Sequence, residues 1–530
     1  MSTRTRSWWG WGWQEAAVND AERAELVRRL PPHWVDGPMR VPRLEDLDLR
    51  VPRIDLPRSL AGICSSATAD RAGHTYGKAY RDVIRALHGD LPNPPDVVAY
   101  PRTEEHIVDL LDWAGEANVA VIPYGGGSSV VGGVEYRGGE GHDHRAVLSL
   151  DLTGLDQVLE VDRASRAARI QAGVLGPALE AQLAEHGLTL RHFPQSFEFS
   201  SLGGWLATRA GGHYAMRHTH IDDFVESMRV VTPAGISESR RLPASGAGPS
   251  PDRLFLGSEG TLGVITEGWL RLQDRPRHKS STSVRFATFA SGMDAVRAIG
   301  QSGLDPSNCR LLDAAEAAIN AGAQDGSCVL VLGFESADHP VDCALARAVD
   351  IASDHSGTPA DVSTEDSPYR SDAVSAWQTA FVRMPYVRDE LARLGMIVET
   401  FETACTWDRA GNLYEAVQAE VAAAIERVCG EPGIVTCRLT HIYPDGVAPY
   451  FTVIARARRG SEVVMWDEIK AASSDTLERL GATITHHHAV GRDHRRWYDR
   501  QRPDPFAAVL RVAKKSLDPS GILNPGVLFD

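Results

Sequence analysis

Three consecutive imidazoles, His486, His487 and His488, stand in the run THHHAVG of a 530-residue chain. Histidine exchanges protons near neutral pH with little retuning, so a triplet offers proton transfer at one place. Metal binding fits worse. Successive side chains on a strand face opposite sides, no cysteine or carboxylate falls at ligand spacing, and Asp493 and His494 lie beyond Gly491. No metal is expected, and a solvated loop is the plain alternative for the triplet. A second constellation is made of backbone. Pro123, Tyr124, Gly125, Gly126, Gly127, Ser128 and Ser129 open the stretch PYGGGSSVVGG, behind a short apolar run from Val119 to Ile122. Glycines leave N–H groups free and let a ligand approach the main chain, and serine hydroxyls share its charge, which is what a pyrophosphate needs. A Gly-rich hairpin is the ordinary alternative. Two further segments weigh against it. One contains Gln195, Ser196, Phe197, Glu198, Phe199, Ser200 and Ser201, followed by Thr208, Arg209, Ala210 and Gly211. The other contains Glu259, Gly260, Thr261, Leu262, Gly263, Val264 and Ile265. An extended ligand with phosphates and ring edges would use all of them through backbone donors.

The elements that must position these groups follow from periodicity. Val97 and Val98 read as a strand, and Ile107, Leu110, Leu111 and Ala114 form one helix face closed by Asn118. Short alternating strands follow at Ala146 to Leu152, Val158 to Val161 and Ala168 to Val174, then a helix opened by Pro177 and ended by Gly187. Helices are also expected at Glu22 to Leu30 and between Gly77 and Leu87. This is an α+β lobe without the strand–GxGxxG–helix order of a dinucleotide fold. Past Arg277 the Gly/Ser clustering stops. Ala-rich amphipathic stretches (Ala314 to Ala321, Leu413 to Val428) then alternate with strands such as Val329 to Phe334 and Tyr450 to Ala455, as suits a sheet with helices on one side.

Composition bounds the class. A chain of 530 residues is too long for one core. Its net charge of −15 argues against nucleic acid as a partner. Seven scattered cysteines with no C-x-x-C pair fit a reducing compartment. No run of about 18 apolar residues is present, and the amino terminus lacks an apolar signal core, so a cytoplasmic location is expected, with peripheral membrane contact left open. Trp8, Trp9, Trp11 and Trp13 are read as an aromatic plug on a neighbouring lobe rather than a membrane anchor, because no basic amphipathic helix accompanies them.

The glycine loop, EFSSLGGW…TRA and EGTLGVIT together resemble the FAD-binding lobe of the vanillyl-alcohol-oxidase type flavoproteins. WWGWG, RLLD (310–313), YVRD (386–389), FET…WD (401–408), TCRLT (436–440) and HHHAVG (486–491) are similar, more closely, to the alkyldihydroxyacetonephosphate synthase family. The resemblance implies an amino-terminal helical arm over 1–91, a two-subdomain FAD-binding lobe over 92–275 and a cap domain with an antiparallel sheet and helices over 276–480. A carboxy-terminal segment, 481–530, would return to the flavin. It implies non-covalent FAD, since Ser128 and Ser129 stand where covalent members carry a histidine. By the same resemblance Tyr450 is a catalytic acid or base, and the His triplet borders the flavin's reactive face. His192 is an active-site histidine, and Arg388 binds substrate. Arg310 is a second candidate phosphate ligand, with an Arg–Asp pair to Asp313 as its other use. Read by themselves, Tyr450 is an aromatic strand residue facing a core and His192 a surface-loop histidine. Gln195 and Thr400 stand where the family has Asp and Ser, and Phe193 replaces a polar residue. Thr400 is retained as a substrate-side position. The implied reaction exchanges the acyl group of 1-acyl-dihydroxyacetone phosphate for a long-chain alcohol, through a flavin N5 adduct with no net redox. The other reading is an FAD-dependent dehydrogenase or oxidase of a 2-hydroxy acid or alcohol. A homodimer is expected.

Overall fold

The computed structural model describes residues 4–138, 143–213, 220–360, 363–364 and 372–529. The amino-terminal lobe holds two main sheets, with a two-stranded ribbon of Leu188–Thr189 and Gln273–Asp274 beside them. In the first, Val97–Ala99, Ala146–Asp151 and Val119–Tyr124 run parallel, and Cys64–Ser65 pairs antiparallel at its edge. The second is antiparallel, with Val158–Asp162, Ala167–Gln171, Val264–Arg271, Val225–Thr232 and Gly235–Glu238 in that spatial order. The helix Glu104–Ala117 lays Ile107, Leu110, Leu111 and Ala114 on the first sheet and ends at Asn118, whose φ of 52° is left-handed.

The cap is one antiparallel sheet. Its main path runs Thr358–Pro359, His278–Phe286, Cys328–Ser336, Asn308–Leu312, Ile434–Ile442, Gly446–Arg456 and Met396–Glu402. Strand alternation decides what this sheet does. Phe401 and Phe451 pair across the ladder with rings stacked at 5.1 Å, and face the core under the helices Trp407–Cys429 and Glu462–Arg479. Their neighbours Thr400, Tyr450 and Thr452 face the opposite way, into a cavity. Tyr450 is therefore not a core aromatic.

Several elements start or stop differently from their periodicity, for local reasons. The helix expected from Gly77 begins at Tyr80, because Lys78 donates its N–H to the Ser129 carbonyl at 2.6 Å and Gly77 packs against the same oxygen. The first helix runs Asp20–Arg29, set by the Asn19–Glu22 capping box. The arm does not stand apart. Leu60 joins the core of the first sheet, while Tyr80, Val83, Ile84 and Leu87 join the core of the cap. The tryptophans are a plug: Trp11 and Trp13 pack edge-on to Phe199, at 5.5 and 5.1 Å, and Trp13 Nε1 donates to Glu198. At the other end, Asn524 bonds to Val121 as the tail extends the first sheet, and Val527, Leu528 and Phe529 enter the second core. Among the described residues no helix is long and apolar enough to cross a membrane.

The strand that carries Thr400 and Glu402 is held from its other face by a buried ion pair. Lys470 Nζ meets Glu399 at 2.7 Å, and Trp466 Nε1 donates to the same carboxylate. Lys470→Met leaves that carboxylate uncompensated and should destabilise the protein by about 3–5 kcal/mol, read as a lower denaturant midpoint. Adding Glu399→Leu should recover most of the loss. Equal stability of Lys470→Met and the wild type would show that the pair contributes nothing.

Candidate active site

The three Gly/Ser-rich segments converge because they pack on each other. A Cβ on Gly126 would meet the Phe199 carbonyl oxygen at 1.6 Å, and one on Gly125 would meet Ser201 Oγ at 2.1 Å. Gly260, at φ 73°, lies against Pro123. Between them opens a cavity of about 1410 Å³, walled by Pro123 to Val130, Gln195, Ser196, Ser200, Ser201, Thr208, Ala210, Gly211, Glu259, Gly260, Gly263 and Ile265. The N–H groups of Gly126, Gly127 and Ser128 take no partner among the described residues and line this space. A concave row of free backbone donors is what a pyrophosphate requires, so these residues fit FAD. Asn524 locks the arrangement by donating to the carbonyls of Gly133 and Glu259, at 2.9 and 2.7 Å. Glu259 accepts from the N–H groups of Val490 and Gly491, and burial pushes its carboxyl up to about 7.

The opposite wall carries the titratable groups. Val398 and Thr400, Tyr450, Thr452 and Ile454, and Ile434, Thr436 and Arg438 are alternate residues of three adjacent strands, and all line the cavity. At the strand end Glu402, 1% exposed, accepts from the backbone N–H groups of His486, His487 and His488 at 2.7–3.0 Å and from the Thr485 hydroxyl. The triplet is thus neither a strand nor a solvated loop. It is wrapped round one carboxylate, which brings the three Nδ1 atoms to 4.0, 3.5 and 3.8 Å from it. Burial pushes the imidazoles of His486 and His487 down to about 3 and that of His488 to about 4, while the nearby imidazoles hold Glu402 well below its usual range. At neutral pH the group is a buried anion beside neutral rings. His487 and His488 face the cavity, within 6.2 and 5.5 Å of the Tyr450 ring. His486 continues outward, with Nδ1 3.1 Å from His487 Nδ1 and Nε2 2.6 Å from the Tyr443 hydroxyl. His441, His486 and His487 offer nitrogens within 4.8 Å of one another. His486 and His487 bond to each other through Nδ1, His486 Nε2 bonds to Tyr443 and His441 Nε2 to the Gly212 carbonyl, while His441 Nδ1 has no hydrogen-bond partner.

Other expected positions are placed differently. Arg388 lines the cavity, but its Nε and one terminal nitrogen are held by Asp389 at 3.0 and 2.7 Å, and the other by the Lys78 carbonyl. Arg310 lies outside the lining and donates to the ring and carbonyl of His213. The pairing with Asp313 is not the one made. Asp313 instead caps the helix Ala314–Asn320 and accepts from the Cys437 N–H. His192 is 1% exposed, not a surface residue, and packs on Trp205 and Phe224 outside the lining, with neither ring nitrogen partnered. Phe197, Glu198, Phe199, Arg209, Thr261, Leu262 and Val264 also lie outside the lining. Phe197 stacks on Trp205, Glu198 and Phe199 hold the tryptophan plug, and Arg209 pairs with Asp222. Reading the sequence missed Glu402, Arg438 and Tyr443. Glu402 and Arg438 sat inside motifs already singled out, FET and TCRLT, and charge in a strand was the signal to follow.

The neutral triplet makes stability pH-dependent. The unfolded imidazoles take up protons below about 6.5, whereas the folded ones refuse them until about 3 to 4. Stability contributed by these rings is therefore complete above 6.5 and lost as pH falls towards 3. Glu402 acts only below its ordinary value of 4.5. The urea midpoint should fall between about pH 7 and about pH 5, and His487→Gln should flatten that slope by about one proton. A midpoint level across this window would contradict the buried neutral triplet.

Known proteins agree with this geometry. Residues 95–238 match the family described as FAD binding domain, and 275–528 match FAD linked oxidases, C-terminal domain, so FAD is the cofactor. The alkyldihydroxyacetonephosphate synthase of Dictyostelium discoideum is 32% identical over 486 residues, 87% of this chain and 77% of that protein. The enzyme of the same name from Trypanosoma brucei brucei is 27% identical, over 96% of this chain and 83% of its own. A solved alkyldihydroxyacetonephosphate synthase superposes with a TM-score of 0.83 at 27% identity, covering 98% of each chain. The chain belongs to the alkyldihydroxyacetonephosphate synthase family of FAD-linked oxidases.

Proposed function

We propose that this chain exchanges the acyl group of a 1-acyl-dihydroxyacetone phosphate for a long-chain alcohol, giving the alkyl ether with no net redox change. The observation that supports this reading is the lining of the cavity. Besides the Tyr450 wall, the lining of this one cavity includes a large apolar set, Leu26, Leu30, Ile319, Met384, Val387, Leu391, Val398, Ile434 and Ile454. A small hydroxy acid has no use for so much apolar surface. An alkyl chain gains roughly 0.8 kcal/mol for each CH₂ it buries there.

The exchange breaks the bond between the dihydroxyacetone carbon and the ester oxygen, and the carboxylate leaves with the electron pair. The alcohol oxygen then bonds to that carbon and gives up its proton. FAD, when bound, supplies an isoalloxazine ring whose electrophilic and nucleophilic character serves this exchange. The free N–H groups of Gly126, Gly127 and Ser128 would hold its pyrophosphate. His487 and His488, neutral and only weakly basic at working pH, take the alcohol proton in passing and do not hold it, and the Glu402 anion offsets the imidazolium while it lasts. Tyr450, raised by burial, is protonated at rest and serves as the acid that restores a proton. The apolar lining keeps water from competing with the alcohol. Arg388, held by Asp389 and the Lys78 carbonyl through three of its five N–H groups, orders this wall and keeps two N–H groups for a phosphate.

A paired assay tests the reading. Palmitoyl-dihydroxyacetone phosphate and hexadecanol should give an alkyl product by mass spectrometry, while the flavin spectrum under nitrogen shows no net reduction. Tyr450→Phe should retain FAD and lose activity by about 10²–10⁴-fold. No alkyl product, together with flavin bleaching by lactate or glycolate, would move the protein to hydroxy-acid oxidation.

A further inference from the structure

Tyr450 stands in a row of charges that crosses three strands. Its ladder partner on one side is Arg438, and on the other side Glu402. The Arg438 guanidinium carbon lies 3.9 Å from the centre of the Tyr450 ring. Arg438 is 7% exposed and lines the cavity, and its Nε has no hydrogen-bond partner. One terminal nitrogen is fixed at 2.8 Å to Glu316, whose other oxygen accepts from the Thr436 hydroxyl. Glu316 is itself held by Asn320 at 3.0 Å, in the first turn of the helix Ala314–Asn320. A buried guanidinium with an unpartnered nitrogen costs stability unless the neighbouring group repays it.

What lies next to it is the phenol. When Tyr450 gives up its proton, negative charge spreads into a ring that is 6% exposed and lies opposite the anion Glu402 on the adjoining strand, while Glu399, on that strand's other face, is already paired with Lys470. His487 and His488 approach from the loop as neutral rings, and Thr400 is within hydrogen-bonding reach of the phenol oxygen. Arg438 is the cation that covers the ring face.

We propose that Arg438 is the positioning residue for proton transfer at Tyr450: anchored by Glu316, its guanidinium holds the phenolate's charge whenever the proton is away. The inference rests on the reading that Tyr450 carries a proton in the exchange reaction. Arg438 serves no proton itself and acts through the ring it covers. Burial and the Glu402 anion both oppose ionisation of Tyr450, and Arg438 is the group that opposes them.

The test is an ultraviolet difference titration of the holoenzyme, with Tyr450→Phe as the blank that isolates this one phenol, run beside the pH profile of kcat. An opposite charge at this distance is worth about one to three pH units. Arg438→Met should move both the Tyr450 ionisation and the limb of kcat upward by that amount, and Arg438→Lys should restore part of the shift. An unmoved ionisation in an Arg438→Met protein that retains FAD overturns the proposal. If Arg438→Met does not fold, Arg438→Gln, which can still bond Glu316, carries the same comparison. A wild-type enzyme that makes no alkyl product sinks the reaction assigned above. The titration reads the Arg438–Tyr450 coupling without turnover, so the two failures are distinguishable.

Discussion

The buried carboxylate of Glu402 is the constraint on which the titratable wall of the cavity depends. A carboxylate out of water must be met by donors or it will not stay ionised. Here the donors are three successive backbone N–H groups and the Thr485 hydroxyl. Satisfying one oxygen pair with consecutive amides forces the chain into a tight wrap. That wrap throws His487 and His488 into the cavity and His486 behind them. The carboxylate is placed by the final residue of the strand Met396–Glu402, whose register with Gly446–Arg456 sets Glu402 opposite Tyr450. The anion and its imidazoles therefore come from segments more than eighty residues apart, joined by the hydrogen bonds to Glu402 and by those between Thr403, Ala404 and Thr483.

The cofactor half is built by a different means, close backbone packing. Gly125, Gly126 and Gly260 are glycines because neighbouring segments occupy the space a Cβ would need. The loop thus owes its composition as much to the carbonyl of Phe199 and the hydroxyl of Ser201 as to a ligand. Asn524 and Glu259 then tie the loop, the third segment and the residues after the His triplet into one unit. The arm does for the two lobes what Asn524 does for the loops. Trp11 donates its N–H to Asp389, the carboxylate that also holds Arg388, so the plug reaches the substrate side of the wall.

Local pattern was legible in the sequence and long-range chemistry was not. The face of Ile107, Leu110, Leu111 and Ala114, the stop at Asn118 and the helix carrying Leu413, Val417 and Val421 follow from spacing alone. The convergence of the Gly/Ser-rich segments was legible from their number. Which of their residues face the ligand was not, because Phe197, Glu198 and Phe199 turn to Trp205 and the tryptophan plug. By resemblance Arg388 is expected at the substrate, and Arg310 reads either as a second phosphate ligand or as the partner of Asp313. Only the fold shows that His213 takes Arg310 and that Asp389, the residue next to it in sequence, takes Arg388. Glu402 and Arg438 were hidden for the same reason: a charge in a strand declares itself only through partners that sequence distance conceals.

Charge order explains why these particular groups share one wall. From Glu316 through Arg438 and Tyr450 to Glu402 and the histidines, anion, cation, phenol, anion and neutral bases alternate across neighbouring elements. Within that row Arg438 favours the phenolate, whereas the Glu402 anion disfavours it and favours the imidazolium instead. With the alternation, each proton-loaded or proton-depleted state has a compensating charge already in place, and none has to be recruited from solvent. The wall can therefore stay dry, which the apolar lining requires, while still passing protons. Dryness and proton mobility usually oppose each other, and fixed alternating charges are the means by which a sheet of ordinary antiparallel strands provides both.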